Sequence, residues 1–228
     1  MRFAQRSAAD EWMDAPDADP VELARCLRDL AVVNSVTLAR PPTIGFMRRA
    51  ARGRRALSVL DVGFGEGDML RRIARWGRRQ GMALRLEGVD LSPASAEAAR
   101  AVTPESMGIR YRTGDVFDEA PGSVDVVISS LFTHHLDDAA VVRFLRWMER
   151  TAAVGWFVND LHRHALAYYG FAGLSRVAGW HPMVRHDGPV SVARSFRRAD
   201  WERLLGAAGV EARVRWHFPF RYCVSRLR

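Results

Sequence analysis

Lysine is absent from this 228-residue chain. All 34 basic side chains are arginine, set against 26 Asp and Glu, for a formal net charge of +8 at pH 7. With abundant Ala, Gly and Pro, that bias reads as the coding bias of a GC-rich genome. It weakens any argument that arginine was chosen over lysine for bidentate phosphate contacts. Cysteine is nearly absent as well. Cys26 and Cys223 stand far apart and form no CxxC pair, which excludes a zinc ribbon or a dithiol redox motif and leaves two free thiols. No apolar run approaches the ~20 residues of a membrane span, and "MRFAQRSAADEWMDAPDADP" lacks the apolar core of a signal peptide, so a cytoplasmic location and no stable membrane insertion are expected. No internal repeat or low-complexity tract interrupts the chain. The dense basic run "RRAARGRR" (48–55) reads as a solvated surface, and no nucleic-acid partner is expected.

What remains is an alternation of strands and helices. Leu23, Leu27, Leu30 and Val33 recur at helical spacing, "RPPT" (40–43) interrupts, and a short helix is expected over 43–52. From residue 57 the pattern changes. "LSVLDV", "LRLEGVD" (84–90), "IRYRTGD" (109–115), "SVDVVISSLF" (123–132) and "VGWFVND" (154–160) read as strands separated by amphipathic helices. Such alternation gives a mainly parallel sheet with helices on both faces. The end departs from it: after a helix around 198–208, two strands at about 210–217 and 220–227 are joined at Phe218-Pro219, and a tight turn requires an antiparallel pair. The expectation is a Rossmann-like α/β fold with a seven-stranded, mostly parallel sheet and an antiparallel last strand. Residues 1–55 read as an N-terminal helical cap and 56–228 as the main domain. An insertion of about 162–195 reads as one more packed helix or as a lid.

The stretch "DVGFGEGD" (61–68) ends the first strand of that sheet. Ligands in open α/β sheets bind beyond the carboxyl ends of the strands, and glycines let a ligand approach the main chain. The spacing is GxGxG, not the GxGxxG of dinucleotide folds, and acids flank it. Acids repel pyrophosphate but suit a ligand carrying ammonium and sulfonium charge. On these residues the chain resembles the class I S-adenosylmethionine-dependent methyltransferases. The resemblance assigns Asp61, Gly63, Gly65 and Gly67 to the signature loop, Asp90 in "EGVDLS" to the ribose hydroxyls and Asp115 in "TGDV" to the adenine amine. It puts Leu91, Val116 and Ser130 beside the cofactor, whose product form is S-adenosylhomocysteine. The segments "EWMDAPDADPVELARCLRDLAVVN", "THHLDD", "NDLHRH" and "VRHDGPVSVARSFRRADW" are similar to bacterial methyltransferases found beside type III polyketide synthases and flavin-dependent oxygenases. That similarity implies O-methylation of a phenolic, polyketide-like hydrophobic acceptor in secondary metabolism. C-methylation of a quinone-type ring is the close variant, and an RNA or protein acceptor is disfavoured because "SSLFTHH" replaces an amine-methylating motif after the fourth strand.

A phenol, with a pKa near ~10, must lose a proton on methylation, and a histidine near ~6.5 can take it. His134 and His135 follow the fourth strand; His162 and His164 follow the fifth. His134 or His135 is expected to be the base, with His162 or His164 as alternatives. His164, Tyr168, Tyr169 and Arg185 are expected to bind substrate, and Arg185, His186 and Asp187 stand together in "VRHDG". A zinc site is the rival reading of the histidines; with no cysteine near and only His162-x-His164 as a spacing, no metal is expected. A homodimer stays open.

Overall fold

The computed structural model describes residues 3–15, 19–118 and 124–228. Residue 123, where the expected fourth strand begins, lies outside them. Two helices, α1 (Pro20–Val36) and α2 (Arg40–Ala50), precede the sheet. Pro41 and Pro42 lie in the first turn of α2, where missing N–H groups have no intrahelical partner to lose, so they start the second helix instead of delaying it to 43. The alternating part runs β1 (Ala56–Val62), α3 (Asp68–Arg79), β2 (Ala83–Asp90), α4 (Pro93–Val102), β3 (Ile109–Thr113), β4 (Val124–Ser130), α5 (Asp138–Thr151) and β5 (Ala152–Leu161). The insertion forms two helices, α6 (Ala165–Val177) and α7 (Pro182–Arg194). α8 (Arg198–Ala208), β6 (Arg213–His217) and β7 (Arg221–Leu227) close the chain.

The seven strands lie in the order β3-β2-β1-β4-β5-β7-β6. β1 to β5 are parallel, and β7 runs antiparallel between β5 and β6, as the tight turn demanded. Val126, Val127 and Ile128 of β4 are fully buried because helices cover both faces of the sheet. One face packs on Phe144, Leu145 and Met148 of α5 with Trp201 and Leu204 of α8; the other packs on Phe46 and Met47 of α2, Leu70 and Ile73 of α3, and Ala96 and Ala99 of α4. Phe144 is wholly buried between Phe132 and Trp147, with ring centroids at 5.5 and 5.7 Å. Phe144→Ala leaves a void in that layer and is expected to lower unfolding free energy by about 3–5 kcal/mol in denaturant titration.

Strand order reverses between β1 and β4. At that switch point the loops after the two strands diverge to opposite faces and leave a crevice. The glycine loop after β1 and the histidine turn after β4 therefore border one space.

Candidate active site

A chamber of about 1200 Å³ opens at the carboxyl ends of the strands. Its cofactor-type half is built by the glycine loop. Gly63, Gly65 and Gly67 all adopt positive φ, at 69°, 55° and 75°. Side chains are excluded for different reasons: a Cβ on Gly63 would lie 2.7 Å from the Phe132 ring, and one on Gly67 2.4 Å from the Tyr111 hydroxyl. Gly63 and Gly65 line the chamber, whereas Gly67 packs behind the loop and opens α3. Asp90 clamps this corner. Its Oδ2 accepts from Gly65 N at 3.0 Å and its Oδ1 from Ser92 N at 3.0 Å. Burial raises the Asp90 carboxyl, against the hydrogen bonds from Ser92 and Gly65. Burial, then repulsion from Asp68 and Asp90, pushes Asp61 well above the usual carboxylate range. Three acids so placed reward a cationic ligand.

Leu91, Asp115, Val116 and Ser130 join Asp61 and Asp90 in the same wall. Asp115 Oδ1 accepts from Phe117 N at 2.9 Å. Ser130 Oγ is buried without a partner, a polar atom open to a ligand. Negative charge, an open glycine backbone and an orphaned hydroxyl fit a ligand with sulfonium, ammonium and hydroxyl groups.

The far half is apolar and comes from outside the sheet. Leu23, Cys26, Leu27, Leu30 and Val33 of α1 form one wall; Leu166, Phe171 and Leu174 of α6 with Val184 and Val192 of α7 form the other. Polar tethers fix α1 and the turn after it over the strand ends: Asn159 Nδ2 donates to Ala39 O at 2.7 Å, and Arg40 donates both to Asp68 and to Ala31 O of α1 at 2.8 Å. None of residues 48–55 lines the chamber.

Where the halves meet, polar groups converge. His134 is buried, and its Nδ1 lies 2.7 Å from Asp160 Oδ1 on β5. Asp160 also accepts from His134 N at 3.0 Å and from the Thr133 hydroxyl. Burial opposes its ionisation, but the His134 imidazole and these donors outweigh it and hold the carboxyl at about 2. A depressed folded value means that this stability is present above pH 3.8 and is lost as pH falls through 2. Wild-type protein is therefore expected to lose stability more steeply than Asp160→Asn between pH 4 and 2, measured by denaturant unfolding at each pH.

Glu11, Asp14 and Arg194 escaped the sequence reading. Residues 3–14 strap across the mouth of the chamber. Arg6 bonds Asp138 at 2.8 Å and Leu136 O at 2.7 Å, and Asp187 of α7 accepts from Trp12 N and Met13 N at 2.8 and 3.0 Å. The strap inserts the Glu11 carboxylate into the interior, 3.8 Å from His134 Nε2 and 3.9 Å from His135 Nε2. Burial raises Glu11 to about 7 despite His135, Ser191 and Arg194. His135 Nδ1 lies 2.8 Å from Asp14 Oδ2. The one available signal was "EWMD", two acids three residues apart that a short 3₁₀ turn carries together.

Several expected site residues lie elsewhere. His162 and His164 do not line the chamber. His162 N bonds Phe220 O and its ring accepts from Trp216 Nε1, so it turns towards the β6–β7 hairpin, while His164 caps α6 through Leu166 N. Tyr168 and Tyr169 lie against Phe3 of the strap, with ring centroids at 5.4 and 6.4 Å. Arg185 is exposed on α7, whose chamber side is taken by Val184 and Asp187.

Residues 59–155 match the family model described as "Methyltransferase domain". Over that segment, less than half of the chain, the sequence is similar to methyltransferase domains. The chain is 29% identical over 163 residues to the ubiquinone biosynthesis O-methyltransferase of Methylocella silvestris, covering 67% of this chain and 61% of that protein. The chain thus spans about three fifths of the length of this curated relative. Among solved structures, a SAM-dependent methyltransferase from Aquifex aeolicus superposes with a TM-score of 0.64 at 17% identity, covering 91% of this chain and 97% of that one. Human N-acetylserotonin methyltransferase in complex with SAM superposes at 0.60 and 14% identity, covering 92% and 56%. These likenesses carry the fold of the methyltransferase domain. Among the described residues, no helix is long and apolar enough to cross a membrane.

Proposed function

We propose that this protein methylates a hydroxyl of a hydrophobic, phenolic or polyketide-like small molecule. The observation that carries the reading is the His134 imidazole, clamped by Asp160 and buried in the wall shared by the cofactor half and the apolar half. S-adenosylmethionine supplies an electrophilic methyl group when bound. Asp61, Asp90, Leu91, Asp115, Val116, Ser130 and the backbone at Gly63 and Gly65 would hold it. The chain's own work is then to position the acceptor and remove its proton. A carboxylate can only accept, so Asp160 fixes the Nδ1–H tautomer of His134 and turns the Nε2 lone pair inward, where it can receive the acceptor's proton. Asp14 does the same for His135. The aliphatic and aromatic walls of α1, α6 and α7 suit a flat ring or an acyl tail. The α6–α7 pair and the strap act as a lid that excludes water. The name of the Methylocella silvestris relative supports methylation on oxygen. C-methylation of a quinone-type ring would use the same chamber without needing the base.

The test is incubation with methyl-labelled S-adenosylmethionine and a panel of alkylresorcinols and hydroquinones, followed by NMR of the products. Label bonded to oxygen supports the reading. Label only on ring carbon, or modification only of RNA or protein offered in parallel, contradicts it.

A further inference from the structure

We propose that Glu11, His134 and His135 form a binding site for a divalent cation, reached from the acceptor side of the chamber. Their ligand atoms all lie within 4.8 Å of one another. Each imidazole points Nδ1 at a carboxylate, Asp160 or Asp14, and Nε2 at Glu11. That is the way outer carboxylates orient metal-binding histidines. The result is a convergence of three acceptors, two Nε2 lone pairs and the Glu11 carboxylate, with Oε1 towards His134 and Oε2 towards His135. The Glu11 side chain is 1% exposed, and Oε1 has no hydrogen-bond partner; Oε2 accepts from Ser191 at 2.9 Å. Buried acceptors that face one another need a donor between them.

Spacing decides what can sit there. The gaps of 3.8 and 3.9 Å are too wide for a shared proton. Two ligands about 2.1 Å from a zinc ion at a tetrahedral angle stand about 3.4 Å apart. The two imidazole–carboxylate gaps lie about half an ångström beyond that spacing, and the whole set, within 4.8 Å, closes on an ion with side-chain shifts of up to about 1.4 Å. Charge agrees. Glu11, Asp14 and Asp160 surround the two imidazoles, while Arg194, 3.8 Å from Glu11 and 4.0 Å from Asp14, is the one guanidinium that touches Glu11 or Asp14 among the described residues. Two histidines and a carboxylate leave coordination positions open towards the chamber, the arrangement of a cation that takes a further oxygen ligand.

What the cation does there rests on the proposed function. The acceptor hydroxyl takes an open position, an oxygen–metal bond forms, the O–H bond breaks and the proton passes to water. The resulting phenolate is the nucleophile. The two Nε2 atoms, proton acceptors in the empty site, are ligands in the loaded one. Deprotonation then no longer requires an imidazole of matched pKa.

The test is made on the full chain after chelator treatment and dialysis. Zn²⁺ is titrated calorimetrically, and Co²⁺ is added as a spectroscopic probe of coordination. One equivalent with micromolar or tighter affinity is expected, with visible d–d absorption. Glu11→Gln and His135→Ala should each weaken it at least 100-fold, with S-adenosylmethionine binding kept and folding verified by circular dichroism. His162→Ala, at a ring that faces Trp216 of the β6–β7 hairpin, should change nothing. No stoichiometric binding, or binding lost only in His162→Ala, overturns the site. If no cation binds yet His134→Ala abolishes methyl transfer, the cation is wrong and the base reading stands. If the cation binds with the expected losses and no hydroxylated acceptor is methylated, the site stands and the proposed function falls.

Discussion

His134→Ala is expected to lower methyl-transfer turnover by two to four orders of magnitude while leaving S-adenosylmethionine affinity within about twofold of wild type. The asymmetry follows from position. His134 is held by β5 through Asp160, whereas the cofactor half is built by the loops after β1 and β2. A merely structural histidine would not behave this way: its removal would strand the buried Asp160 and reduce stability without separating turnover from cofactor binding. Asp160→Asn adds the control. It keeps the shape of the clamp but no longer dictates the Nδ1–H tautomer, so the rate should fall with the fold intact. The pair is read by steady-state kinetics beside cofactor titration. Equal losses in cofactor affinity and turnover for His134→Ala would remove the histidine from the proton-transfer role.

Asp90→Ala is expected to weaken S-adenosylmethionine binding by about a hundredfold, close to 2.7 kcal/mol. Two losses combine. The carboxylate stops bracing the glycine loop through Gly65 N and the β2–α4 turn through Ser92 N. Part of the negative charge opposite a cationic ligand disappears too. Asp90→Asn retains one acceptor oxygen and should fall between the two. An unchanged Kd in Asp90→Ala would mean that the ligand does not use this corner.

Most of the sheet was legible because its signals are local. The β-branched runs at 57–62 and 124–130, the amphipathic spacing of Met69, Leu70, Ile73 and Trp76, and the turn at Phe218-Pro219 each state an element within a dozen residues. The glycine loop was legible for the same reason, since positive φ needs glycine at fixed spacing. Gly67 shows the limit: its need is created by Tyr111, 44 positions away, so the pattern is visible and the cause is not. The acceptor half was less legible because it is assembled over long separations. Glu11 meets His134 across the strap, and α1 faces α6 and α7 only in the folded chain. His162 and His164 share the strand-end position that made His134 and His135 candidates. The bond from His162 N to Phe220 O, made with the distant hairpin, draws His162 away, and the cap on Leu166 N holds His164.

The most direct test is calorimetric titration of the folded protein with S-adenosylmethionine and, in parallel, with NADH. One S-adenosylmethionine per chain at micromolar affinity, weakened about a hundredfold in Asp90→Ala, and no NADH binding are expected. A folded sample that binds neither S-adenosylmethionine nor S-adenosylhomocysteine, or that binds NADH in their place, would contradict that cofactor assignment.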